Sequence, residues 1–444
     1  MVLLVACQPD VTSFADTSGP VGSSVVITGT GFTHATRVTF NGAPAAYTVT
    51  NDRSIAAVVP PLSTAGPISV TATNLTGVSS TAYNVTGGGP TLTSASSIVS
   101  GGDYSCSLVT GGAAKCWGDV PGALPGSGLR LTPSDVAGLS GVTQLAAGAE
   151  FACALASGGV SCWGYNSYGA LGNGTLTDSE TNPTPVAGVA NATQISAGWA
   201  HACALISGGT IKCWGADSSG QLGDQTDGDG NGVRLAPVSV VGITNAVQVA
   251  AGVDFTCARL ATGTVECWGN SSDGRLGSPT AGGFSLVPLV VPGVTGATDL
   301  STGGSHACAV VTGGQVMCWG GNYLGQLGAG NTDVQTQPVT VAGISGATAV
   351  AAGGVLTCAI RGDASVACWG SNTAHELGDW RAADPSPSPV TPLGVAGASR
   401  ISVGSGHACA LVTGSHVMCW GDDINAQLGS GGNFERWQPV AVLP

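Results

Sequence analysis

Charge is what this chain has least of. Asp, Glu, Lys and Arg together make up 8% of its 444 residues, and only two of them are lysines, Lys115 and Lys212. The net charge is −13. A chain this poor in cations cannot neutralise a run of phosphates, which makes nucleic acid a poor partner. An anionic membrane surface is disfavoured for the same reason. Long apolar runs are missing too, since none approaches the ~20 residues a membrane helix needs. Glutamate is scarce: Glu150, Glu180, Glu266, Glu376 and Glu435 are the full set. None sits in a recognisable motif, and P-loop, G-x-S-x-G and H-E-x-x-H patterns are all absent, so the chain reads as a non-enzyme. No C-x-x-C or C-x-x-x-C spacing occurs, which removes the usual zinc and thioredoxin-like signatures.

What the chain does have is glycine, 72 residues of it, and 15 cysteines. Fourteen of the cysteines fall into seven pairs: Cys106 with Cys116, Cys153 with Cys162, Cys203 with Cys213, Cys257 with Cys267, Cys308 with Cys318, Cys358 with Cys368, and Cys409 with Cys419. Trp-Gly follows the second member every time, at Trp117, Trp163, Trp214, Trp268, Trp319, Trp369 and Trp420. The first members recur at steps of 47, 50, 54, 51, 50 and 51 residues. A period near fifty means a repeat architecture. Each unit carries about four short apolar runs interrupted by Gly, the content of one propeller blade, so the expected fold is all-β with seven blades.

Within each pair a Gly-rich turn separates two short runs. Directly opposed residues of antiparallel strands lie about 4.5–5.5 Å apart, within reach of a disulfide. We therefore expect seven disulfides, one per blade; a reduced cysteine core is the alternative. Seven staples imply an oxidising, extracytoplasmic compartment. The fifteenth cysteine, Cys7, ends a Leu-Val-Ala-Cys stretch that resembles a bacterial lipobox. Residues 1–8 are accordingly read as a signal remnant, Cys7 as a lipid attachment point, and the protein as a monomer of a bacterial envelope.

Residues 9–86 differ from the rest. They lack tryptophan and alternate apolar and polar residues in short runs such as "SSVVITGTGF" and "TRVTFNG", the pattern of a β-sandwich. The order G-S-S-V-V-I-T-G-T-G-F … V-T-F-N-G … V-V-P resembles the IPT/TIG family of immunoglobulin-like domains, departing at Asn41. Residues 87–96 read as a linker. From 97 to 444, A-G-x-x-H-A-C-A-L … C-W-G … G-Q-L-G resembles the regulator of chromosome condensation repeat family, which implies a seven-bladed propeller. Some eukaryotic members of that family are chromatin-bound exchange factors; the acidic chain, without basic tails, argues against that role here.

Function is sought in the loops. The loop after the first Gly of each unit ends on Tyr104, Phe151, His201, Phe255, His306, Leu356 or His407, read as a packed ring rather than metal ligands. The positions just before it vary, which leaves blades free to acquire contacts. Asp103, Glu150, Trp199 and Asp254 are the candidates there: an aromatic anchor with an acidic rim suits recognition of a protein or glycan. A second candidate is "DQTDGDGNG", in which Asp227, Asp229 and Asn231 match the first positions of a calcium loop, although Val238 stands where its closing Glu belongs. No other cofactor is expected. The favoured reading is an exported binding protein with the immunoglobulin-like domain as a stalk. An envelope enzyme acting on polysaccharide or peptidoglycan and a structural surface protein are the alternatives.

Overall fold

The computed structural model describes residues 8–444, except 20, 42, 61–65, 73–74, 86–90, 123–128, 279–282, 380–383 and 434–435; the side chains of 43–44, 229–230 and 436–438 are likewise not described. Cys7 and residues 87–90 of the expected linker lie outside the described residues.

The N-terminal domain is the expected sandwich. One sheet contains Asp10–Phe14, Ser24–Thr30, Ser54–Val58 and Tyr47–Asn51, and the other is built on Leu75–Val85, Gly66–Ala72 and Ala35–Phe40. Strict alternation along Ser24–Thr30 turns Val25 and Ile27 inward against Ile55, Val38, Phe40 and Tyr83, as a two-layer core requires.

The remaining chain forms seven separate four-stranded antiparallel sheets. In chain order these blades span 95–135, 142–185, 192–239, 246–290, 297–340, 347–390 and 400–441. Strand order within every blade is simply consecutive. The propeller begins earlier than its expected boundary at 97, inside the stretch read as linker. Ala95 opens the first strand, and Leu92 is buried, with its N–H donating to Val442 O at 2.9 Å.

The C-W-G signature is explained by strand geometry. Successive side chains on a strand point to opposite faces. On Ile211–Ala216 the sulfur of Cys213 faces blade 4, while Trp214 faces blade 2. Each wedge between blades therefore holds the cysteine pair of one blade and the tryptophan of the next, as Cys153 and Cys162 pack with Trp214 and Cys203 and Cys213 with Trp268. All seven tryptophans are fully buried. Six of the indole N–H groups donate to a loop carbonyl of the preceding blade, at 2.8–3.0 Å.

The disulfides follow the same ladder, each within its own blade. Cys106 is joined to Cys116, Cys153 to Cys162, Cys203 to Cys213 and Cys257 to Cys267. In the last three blades Cys308 is joined to Cys318, Cys358 to Cys368 and Cys409 to Cys419. The paired residues are directly opposed, with Cα atoms 4.0–4.1 Å apart. That is closer than the separation expected from strand pairing alone. Cys153 and Cys162, one residue nearer in sequence, share the register of the others because their turn is shorter, not their ladder.

The last glycine of the G-Q-L-G turn is dictated by the wedge tryptophan. Gly223 has φ +67°, and a Cβ there would lie 2.8 Å from the Trp268 indole nitrogen. Gly174 has φ +85° with nothing within 4 Å. Gly223→Ala should therefore lower stability by about 2 kcal/mol or more. Gly174→Ala should cost only the left-handed backbone, about 1 kcal/mol. Urea denaturation of the two variants checks the difference; equal losses would show that the tryptophan is not crowded.

Ring closure uses the contacts found at the other junctions. Trp117 Nε1 of blade 1 donates to Gln427 O of blade 7 at 2.9 Å, and Ser100 N donates to Ser402 Oγ at 2.8 Å. Among the described residues, no blade borrows a strand from the far end of the chain.

Candidate functional site

The loops joining first to second and third to fourth strands lie at one end of the ring, because antiparallel strands bring alternate connections to the same face. We call this the loop face; the Gly-rich hairpins lie on the other.

Two repeated devices hold it in place. First, main-chain bonds run from blade to blade around the channel mouth, including Gly102 N to Ala149 O, Trp199 N to Gly252 O (both 3.2 Å) and Gly354 N to Gly404 O (3.0 Å). Second, an Asn or Asp at the start of the third loop caps the turn in five blades. Asn166, Asp217, Asn322, Asn372 and Asp423 each accept a hydrogen bond from the leucine N–H five residues on, at 2.9–3.1 Å.

Trp199 occupies the tip of the first loop of blade 3 and is 47% exposed. Blade 2 brings Tyr165 and Tyr168 to it, each 40% exposed. The ring centres of Tyr168 and Trp199 are 5.7 Å apart at 53°, and those of Tyr165 and Tyr168 are 6.3 Å apart at 59°. Together with Glu150 they line a pocket of about 190 Å³, floored by Phe151 and Ala170. Tyr165 is tied to the Glu150 main chain by its N–H, at 2.9 Å. The Glu150 carboxylate has no partner among the described residues.

The structure thus brings two of the four sequence candidates, Glu150 and Trp199, into one pocket and leaves the other two outside it. Asp254 is half-buried within the first loop of blade 4. Burial pushes its pKa up and the neighbouring Arg275 charge pulls it down. Asp103 belongs to the junction of blades 7 and 1, where burial and the carboxylates of Asp422 and Asp119 raise its pKa. Tyr165 and Tyr168 were not anticipated. Their signal was present in the repeats: the same loop positions hold Ala216 and Ser219 in blade 3, and Gly321 and Leu324 in blade 5.

The calcium-like segment folds as a single helical turn, Gly228–Gly232, leading into strand Val233–Ser239. Asp227 and Asn231 are exposed, and the side chain of Asp229 is outside the described set. Asp224 is engaged by Arg234 at 3.0 Å. Among the described residues no three His, Cys, Asp or Glu side chains gather as a metal site. Asp217 lies beneath this loop, fully buried, with Oδ2 unpartnered. Burial raises its pKa to about 7, against the hydrogen bond from Leu222 N–H. At the equivalent place Asn322 turns its amide to the carbonyls of Asn331 and Asp333, at 3.0 and 2.9 Å.

The three ring histidines are interior groups. His201, His306 and His407 are fully buried. Each Nε2 meets a hydroxyl of the following blade: Thr256 at 2.9 Å, Thr357 at 2.8 Å and Ser105 at 2.8 Å. Those hydroxyls donate onward to the carbonyls of Gln221, Gln326 and Gln427, which also receive the indole N–H groups. A hydroxyl that gives its proton to a carbonyl must accept from Nε2–H, which fixes the tautomer.

Seven blades built this way find a counterpart among known proteins. The family model of the RCC1-like domain matches residues 130–443, and that of the IPT/TIG domain matches residues 9–86. This chain belongs to the RCC1-like family. Blade 1 extends the RCC1-like architecture upstream of the matched stretch. Among curated proteins, human E3 ubiquitin-protein ligase HERC2 is 28% identical over 253 residues, covering 54% of this chain and 5% of the ligase. The Arabidopsis thaliana ultraviolet-B receptor UVR8 is 33% identical over 130 residues, 28% of each chain. The match therefore spans less than a third of either relative's length. Among solved structures, Prp20p from Saccharomyces cerevisiae superposes with a TM-score of 0.66 at 22% identity, over 74% of this chain and 85% of its own. Human WBSCR16 gives 0.65 at 22%, over 73% and 90%. At this identity these structures establish the fold alone.

Proposed function

We propose that this RCC1-like protein is an extracytoplasmic, non-enzymatic binding protein whose loop face takes up a protein ligand at the Trp199 pocket. The observation that carries the reading is the exposed aromatic wall of Tyr165, Tyr168 and Trp199. Large exposed rings in a fixed concavity are the usual anchors of protein recognition. The paired cysteines support an oxidising compartment. The pocket offers one carboxylate rather than the pair that acid–base hydrolysis uses, which supports binding over catalysis. The immunoglobulin-like domain serves as a stalk, and Cys7 would be the tether.

Benzoylphenylalanine placed at Tyr168 should cross-link a protein of the source envelope under ultraviolet light. The same probe at Ser207, an exposed residue of the hairpin face, should not. Trp199→Ala, combined with the Tyr168 probe, should reduce the adduct at least about tenfold, the loss expected of an interface anchor. Equal adducts from both faces, or indifference to Trp199→Ala, would refute the assignment.

A further inference from the structure

We propose that the Trp199 pocket is a cage for a cation: the ammonium or guanidinium end of a lysine or arginine side chain presented by the protein ligand. The proposal rests on the binding reading above and names the chemistry of what is bound.

Ring geometry comes first. Successive ring planes turn by 59° and then 53°. The three rings are tilted to one another and do not form a flat strip. A sugar, by contrast, stacks best on a flat aromatic face or a coplanar strip. Exposed Tyr and Trp rings lining one pocket offer their negative quadrupoles to a cation bound there.

Charge comes second. Glu150 carries the pocket's one carboxylate, and that carboxylate is unengaged by any described residue. No lysine or arginine is among the described residues that line the pocket. The chain's net charge of −13 adds a long-range field of the matching sign.

Third, the fold does not need these rings. The corresponding positions in blade 3 are Ala216 and Ser219, and those matching Trp199 in blades 1, 2 and 5 are Gly102, Ala149 and Gly304. Those blades close with the same strand order and the same turns. The pocket is also set before any ligand arrives. The Asn166 side chain caps the Tyr168 turn, and Trp199 N is held by Gly252 O at 3.2 Å. Little ordering is therefore left to do on binding.

The test uses the full chain and follows the indole N–H resonance of Trp199 by NMR, assigned with Trp199→Phe. Tetramethylammonium chloride is the cationic probe, and tert-butanol is a neutral group of similar shape. Tetramethylammonium should shift the Trp199 signal saturably, and tert-butanol should bind at least about tenfold more weakly. Glu150→Gln, which keeps size and hydrogen-bonding reach, should weaken the cation several-fold and leave the alcohol unchanged. Because residue 150 is exposed, the melting temperature of that variant should equal the parent's, so a lost shift is not lost folding. Equal binding of cation and alcohol would overturn the cage in favour of a purely apolar pocket. A shift with cellohexaose or chitohexaose but none with the cation would overturn it in favour of a glycan site. No shift with any probe also overturns it. The broader reading fails separately, by loss of the Tyr168 cross-link, so the two failures can be told apart.

Discussion

Reduction of the seven bridges lowers the melting temperature of this protein by more than about 15 °C, provided the reductant reaches them. Each bridge closes a loop of about ten residues, and on the chain-entropy model each such loop contributes about 2–3 kcal/mol. Marginal stability of folded proteins, about 5–15 kcal/mol in all, cannot absorb the loss of several together. Access is the second half of the prediction. Every bridged cysteine is at most 1% exposed, so a thiol reductant acts slowly on the native protein and quickly once moderate urea opens a blade. Calorimetry with and without reductant, and thiol titration against time, check both parts. Rapid reduction under native conditions, or an unchanged melting temperature after complete reduction, would show that the wedge packing alone sustains the ring.

These bridges also show what the sequence could and could not convey. Paired cysteines with a turn between them are visible as adjacent strands, and seven Trp-Gly dipeptides are visible as core. That cysteine and tryptophan face different wedges follows from their being neighbours on one strand, so this too was legible. A subtler pairing went unread. Each ring histidine is matched by a hydroxyl in the next blade, Thr256, Thr357 or Ser105, whereas Tyr104, Phe151, Phe255 and Leu356 are matched by Ala152, Ala202, Ala307 and Ala408. The partners are about fifty residues apart, or at opposite ends of the array, and only the closed ring makes them adjacent. Tyr165 and Tyr168 escaped for the opposite reason. Reading for periodicity highlights what all blades share, and the pocket is built from what one junction does not share with the rest.

The matched histidine and hydroxyl pairs lead to the second large effect, in acid. Burial lowers the pKa of His201 and His407 to about 4 and that of His306 to about 3, the last with help from the Arg275 charge. Nε2 already carries its proton, so an added proton must go to Nδ1, which is buried and has no acceptor among the described residues in any of the three. The unfolded chain titrates near pH 6.5. The unfolded state therefore binds more protons below that pH, and the stability present above pH 6.5 is lost as pH falls toward 4. The loss is on the order of 3 kcal/mol per histidine. Asp217 works in the opposite direction, since its raised pKa makes the native state take up a proton as pH falls through about 7. The measurement must therefore be a difference. A variant with His201→Phe and Thr256→Ala reproduces the pair found at Phe151 and Ala202. Its melting temperature, subtracted from the parent's at each pH, should trace the histidine contribution alone. We expect the parent to lose ground steadily from pH 6.5 to 4. A flat difference would mean that His201 titrates alike in the folded and unfolded protein, and a difference of the opposite slope that it is held charged in the fold.

Consecutive strand order has a mechanical consequence. Since no strand is shared between the first and last blades among the described residues, the seam between blades 7 and 1 is held by side-chain packing and a few hydrogen bonds, loaded one after another when the ends are pulled apart. Once it parts, blades peel singly, each exposing only its own wedge. A force–extension trace would then show a ladder of similar small rips, not one large event. Each bridge also withholds its loop from stretching, roughly 35 Å of contour per blade. Under tension in an oxidising medium the array would behave as a row of short, pre-shortened shock absorbers, and adding reductant would lengthen every step.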